Sequence, residues 1–195
     1  MKSIYLVLDM QNDLVHIEGP NGKSPLGEQV RSRRVVQNTA VAIEKARAAK
    51  IAVGFIRVGF SPDYHECPTG SPVFSGAPKA GLFKLGSWGT EIHPDLIQQA
   101  GDVQVVKHRV SPFYSTTLVA QLRALKIERI YCSGVSTQAV VQATVRDAHD
   151  RDFDVVVLED CAAAHSEEEH RNSIQTIGRF CRIMTSETVD FTATN

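Results

Sequence analysis

Cysteine is scarce: Cys67, Cys132, Cys161 and Cys181 are the only four in 195 residues. None forms a CxxC pair, and their density is far below that of a disulfide framework, so reduced thiols are expected. An excess of one charge is also missing, since 21 Lys and Arg meet 22 Asp and Glu to leave a formal charge of −1. That balance gives the chain no basic footprint for nucleic acid or an anionic membrane, and neither partner is expected. Long hydrophobic runs are absent too. The opening MKSIYLVLDM holds one lysine and a short apolar stretch that ends in an acid, which suits neither a signal peptide nor a membrane span. A cytoplasmic protein is expected. With no internal repeat and no linker-like stretch, residues 1–195 are expected to form one domain.

What the sequence does contain is a series of short apolar runs. Residues 4–8 (IYLVL) are continuously apolar up to Asp9, the pattern of a strand buried on both faces. Residues 51–58, 103–106, 127–133, 154–159 and 181–185 repeat it, giving six strands. Helical periodicity lies between them at residues 28–50, 116–125, 137–151 and 167–179, with Val35, Ala42, Ala46 and Ala49 near one face of the first. Ser166 followed by Glu169 has capping-box spacing, and Glu167 and Glu168 complement the positive end of the helix they open. Alternating strands and helices predict a three-layer α/β/α fold, with a six-stranded, mostly parallel, Rossmann-like sheet. Ligands of such sheets bind at the carboxyl ends of the strands, near the point where strand order reverses. Residues 59–90, rich in Gly, Pro and Ser, read as a long connection that serves as a pocket wall or an oligomer contact.

Candidate chemistry therefore lies just after the strands. Asp9 ends the first, where partial desolvation would raise its pKa toward acid–base use; read alone, it could equally cap the following turn. Lys107 follows the third strand and either reaches the same edge, to orient Asp9 or hold substrate, or is a solvated surface lysine. In residues 133–148 a strand, a glycine turn and a helix start follow one another, so first-turn N–H groups would face an anion or oxyanion there; an ordinary βα turn reads the same way. Gln11, Phe113 and Trp88 are candidates for the substrate pocket, the two aromatics as walls for a planar molecule or as core or subunit contacts.

Taken together, LVLDMQND (residues 6–13), VVKHRVSPFYSTTL (105–118), GVSTQAVVQATVRDA (134–148) and VVLEDCAAA leading into SEEEHRNSI (156–174) resemble the isochorismatase-like cysteine hydrolases. That group includes nicotinamidases, N-carbamoylsarcosine amidohydrolases and isochorismatases, and the likeness runs over nearly the whole chain. The resemblance implies that Asp9 is the general acid or base and Lys107 its support. It further implies a cis-peptide turn near Val135 and Ser136 that builds an oxyanion hole from backbone N–H groups, with Ala139 beside it. Counted from Gly134, the family's nucleophilic cysteine falls on Val140, which can neither attack a carbonyl nor donate a proton. Cys132, Cys161 and Cys181 read as buried structural thiols, and Cys67 sits in the long connection. Isochorismatases proper also lack that cysteine but carry Tyr-Ala-His where this chain has Ser136, Thr137 and Gln138, a pattern closer to the amide-cleaving branch.

Nicotinamidases hold zinc near the end of the second strand. Here Asp63 and His65 are displaced from that point and His93 is not obviously placed to join them, so neither metal nor cofactor is expected. Family members commonly assemble, and a homodimer or homotetramer acting on a small-molecule substrate is expected. The functional reading is a hydrolase of a small planar amide, ureido or vinyl-ether substrate, working by Asp-based acid–base chemistry without a cysteine nucleophile. The alternative is a catalytically impaired pseudoenzyme or small-ligand-binding module on the same fold.

Overall fold

The computed structural model describes residues 1–193. Six strands form its sheet: β1 (Ser3–Leu8), β2 (Ala52–Val58), β3 (Val103–Lys107), β4 (Arg129–Val135), β5 (Asp154–Ala163) and β6 (Arg182–Met184). Their order is β3-β2-β1-β4-β5-β6, and every pairing is parallel. Strand order reverses between β1 and β4, so the crevice that such a sheet opens for a ligand lies beyond Leu8 and Val135.

The helices are α1 (Asn12–Val15), α2 (Pro25–Ser32), α3 (Val35–Ala48), α4 (Ala77–Ala80), α5 (Leu118–Ala124), α6 (Gln142–His149) and α7 (Glu167–Ile177). Alternate β1 side chains serve opposite layers, as the two-residue strand period requires. Tyr5 and Val7 pack with Leu26, Val30 and Ile43 of α2 and α3. Ile4, Leu6 and Leu8 pack with Leu118, Leu122, Val145 and Ile177 of α5, α6 and α7. Both faces are covered, which explains why the strands read as continuous apolar runs.

Three differences from the expected elements have local causes. The single helix over residues 28–50 is two helices, because Arg34 adopts a left-handed conformation (φ 54°). The break releases the Arg33 side chain to Glu159, Glu167 and the Ala162 carbonyl. The helix expected from residue 137 opens with a π turn over Thr137–Val141 before α6 begins. Finally, β5 runs on to Ala163, with a register irregularity: Cys132 pairs with Val157 but Gly134 with Ala162.

Residues 59–90 are organised around a small apolar cluster of their own, in which Phe60, Phe74, Ala77 and Phe83 pack with Val58 of β2. The α7 cap forms as the spacing predicts on one side: Ser166 Oγ accepts from the Glu169 N–H at 3.1 Å, while the Glu169 carboxylate turns to the His165 N–H at 3.0 Å. Replacing Ser166 with Ala is expected to cost about 1 kcal/mol, read from denaturant midpoints. An unchanged midpoint would show the cap to be idle.

Candidate active site

β1 delivers Asp9 directly to the switch point. Its N–H donates to the Ile56 carbonyl at 2.8 Å, and it bends away with φ 55°, a left-handed conformation that Asp and Asn tolerate better than most residues. Asp9 is only 4% exposed and Lys107 only 1%. Lys107 stands at the end of β3, two strands away, and reaches past the end of β2 to place its ammonium 2.9 Å from Asp9 Oδ2. The same ammonium donates to the Arg109 carbonyl at 3.0 Å. Asp9 Oδ1 is buried with no hydrogen-bond partner among the described residues. Burial pushes the Asp9 carboxyl above its ordinary pKa, against the downward pull of Lys107 and a lesser one from the nearby Val58 N–H, which is itself donated to Gln11 Oε1. A carboxylate with one oxygen held and the other bare has the features of an acid–base group, and strongly perturbed groups of this kind gather at functional sites.

These two residues border a cavity of about 450 Å³, within the size range of small-molecule sites. Its other polar contributors are Asn21, Ser136 and His165. The β4 turn supplies Val135, Ala139 and Val140, while Pro72, Val73, Phe74, Leu82 and Phe83 come from the long connection, which thus walls the pocket. The Val135–Ser136 peptide bond is cis. Just before it, Gly134 has φ 139°, and a Cβ there would collide with the Leu8 carbonyl oxygen, so glycine is required where β4 passes the end of β1.

The structure thus brings Asp9, Lys107, Val135, Ser136, Ala139 and Val140 to one cavity. The three residues expected to contact substrate lie outside its walls. Gln11 is fully buried and spends its amide on β2: Nε2 donates to the Val58 carbonyl at 3.0 Å and Oε1 accepts from the Val58 N–H at 2.9 Å. Phe113 is a core residue, 6.3 Å from the Phe153 ring and covered by the Arg151 guanidinium. Trp88 is 45% exposed, edge-on to His16 and bordering a separate depression with Arg57 and Pro94.

Residues missed by sequence reasoning include Asn21, in a turn with no chemical signature, and His165, which lies two residues past the end of β5 and could have been found by the strand-end rule. Behind the Ser136 turn stands a further polar group. His170, buried on α7, is 2.8 Å from Thr137 Oγ1 and 3.1 Å from Glu159, and Arg33 pairs with Glu159 at 3.1 Å.

Among the described residues, no cysteine borders the cavity. Burial raises the pKa of Cys67, Cys132, Cys161 and Cys181, the last to about 12, the opposite of an activated thiolate. A zinc ion of the nicotinamidase kind does not fit the residues present. Asp63 and His65 pair with each other at 3.0 Å on the surface, and among the described residues no three His, Cys, Asp or Glu side chains converge to hold a metal.

Comparison with known proteins agrees with the fold. The family model described as the isochorismatase domain matches residues 3–188. The isochorismatase family protein YecD of Escherichia coli O157:H7 is 32% identical over 186 residues, covering 94% of this chain and 92% of its own length. Ureidoacrylate amidohydrolase RutB of Acinetobacter baylyi is 31% identical over 188 residues, covering 90% of this chain and 76% of its own. Among solved structures, an isochorismatase-like hydrolase from Alkaliphilus metalliredigens superposes with a TM-score of 0.78 at 26% identity, with 96% of each chain covered. The chain therefore belongs to the isochorismatase family of hydrolases.

Proposed function

We propose that this protein hydrolyses a small amide or ureido compound without a covalent enzyme intermediate, with Asp9 as general base. The observation that carries the reading is the buried Asp9 carboxylate, held by Lys107 through one oxygen and bare at the other, at the edge of a substrate-sized cavity. In the step itself, Asp9 takes a proton from water as the water oxygen bonds to the substrate carbonyl carbon. The tetrahedral adduct then expels its nitrogen, which receives that proton as the C–N bond breaks, leaving an amine or ammonia together with a carboxylic acid, or with a carbamic acid when the substrate is a ureide. Val140, at the position where the family resemblance puts a cysteine, leaves water as the nucleophile. The turn at Val135, Ser136 and Ala139 is suitably placed to steady the developing oxyanion. The name of ureidoacrylate amidohydrolase favours C–N bond cleavage over vinyl-ether chemistry.

A screen of small amides, ureido compounds and isochorismate, with Asp9→Asn as control, tests the reading; turnover that survives in the variant would sink it. The pH profile adds a second test. Because burial raises the Asp9 pKa, kcat/KM is expected to climb with pH through a midpoint above the usual carboxylate value of 3.8. A rate that instead falls through that midpoint would make protonated Asp9 the active form, as vinyl-ether protonation requires.

A second reading, a binding module without turnover, draws on the valine in the cavity wall and on the lining, which holds no cysteine among the described residues. Saturable binding of a small ligand with no product formed would favour it.

A further inference from the structure

We infer that the cavity selects an uncharged carboxamide or ureide carried on an apolar body and excludes substrates that bear a carboxylate. The inference rests on the reading of this cavity as the substrate site and narrows the class of molecule it takes. It starts from the cations. Among the described residues, Lys107 is the one lysine bordering the cavity and is already neutralised by Asp9 at 2.9 Å, and no arginine contributes to the walls. Arg33 is committed to Glu159 and Glu167, and Arg109 to the carbonyls of Glu66 and His108. His165, 55% exposed on its side chain, faces the Glu169 carboxylate at 3.5 Å.

The remaining wall is largely aliphatic and aromatic, with Leu14, Leu26, Val58 and Val110 added to the residues of the turn and the long connection. A substrate carboxylate would lose its hydration there and find no free cation in return, since the N–H groups of the Ser136 turn are taken by the oxygen of the reacting carbonyl. It would also meet Asp9 Oδ1, a bare acceptor to which a second carboxylate has no donor to offer. The same Oδ1 is an unfilled acceptor, and the N–H of an amide or ureide supplies the donor it lacks. One consequence concerns the product. Hydrolysis of a neutral carboxamide yields a carboxylate, the species this cavity holds least well, so release follows from the same electrostatics that admit the substrate.

The experiment is calorimetric titration of the intact protein at neutral pH with matched pairs, benzamide against benzoate and phenylacetamide against phenylacetate. The amide of at least one pair is expected to bind tenfold or more tightly than its acid, a difference of about 1.4 kcal/mol. Val73, 63% exposed and bordering the cavity, offers a site for a cation with little risk to the fold. Val73→Arg is expected to raise the acid's affinity relative to its amide's at least threefold. An acid that binds the unaltered protein as tightly as its amide overturns the inference, and so does a failure of every pair to bind. The binding readout stands apart from turnover. Amide-selective binding with no Asp9-dependent hydrolysis removes the hydrolase reading alone, whereas Asp9-dependent hydrolysis of carboxylate-bearing substrates removes the selectivity alone.

Discussion

Replacing Asp9 with Asn is expected to lower turnover by about 10²–10⁴-fold, the usual contribution of a positioned acid–base group. Asn is the informative choice because it keeps the shape of the side chain and tolerates the φ of 55° that turns residue 9 into the crevice. Alanine would add backbone strain to the loss of the carboxylate and confuse the two effects. The amide oxygen of the substituted side chain can still accept from Lys107, so the stranded ammonium lowers stability but keeps a partner while the ability to take a proton is lost. The measurement is kcat/KM for both forms on any substrate the screen yields, with thermal unfolding run alongside. A folded variant that retains turnover within about threefold would remove Asp9 from the chemistry, because a general base is worth far more than that. A variant that unfolds outright would show that the fold itself requires Asp9 to neutralise Lys107.

How much of this was readable in the residues depends on what carries the signal. The strands were legible because two-sided burial leaves uninterrupted apolar runs, and residues 4–8 fall within β1 (Ser3–Leu8). Asp9 and Lys107 were legible as candidates because each directly follows such a run. Their contact was not, since β1 and β3 are separated by β2 and only the three-dimensional order of the sheet shows that a lysine can reach across it. Gln11 illustrates the converse. It lies two residues from Asp9 in the sequence, yet its amide matches the donor–acceptor pattern of a peptide group, and pairing with Val58 gives both its nitrogen and its oxygen a partner. Phe113 belongs to a motif that carries a functional lysine, but sharing a motif says nothing about direction, and its ring turns into the core. Arg34 shows a limit of periodicity: apolar spacing continues through residues 28–50, while one left-handed residue splits the helix.

Replacing Lys107 with Met is expected to destabilise the protein by about 3–5 kcal/mol at neutral pH, the cost of leaving one partner of a buried ion pair uncompensated. Both side chains are almost wholly enclosed, so water cannot take over the role of the lost ammonium. The sign of the pH dependence follows from Asp9. Its pKa is already raised by burial, and without Lys107 the chief downward influence disappears, so the folded state holds its proton to still higher pH. The folded variant then binds more protons than its unfolded chain between the ordinary carboxylate value and the raised one, and its stability falls as pH rises through that window. The deficit relative to the unaltered protein should therefore shrink on acidification toward about pH 4, where Asp9 is neutral in the variant's fold. Adding Asp9→Asn to Lys107→Met should recover a large part of the loss at neutral pH, because no buried charge then remains to be compensated. Urea unfolding of the single and double variants across pH provides the measurement. A deficit that is constant with pH, or a double variant no more stable than Lys107→Met alone, would assign the effect to lost packing of the lysine stem rather than to the ion pair.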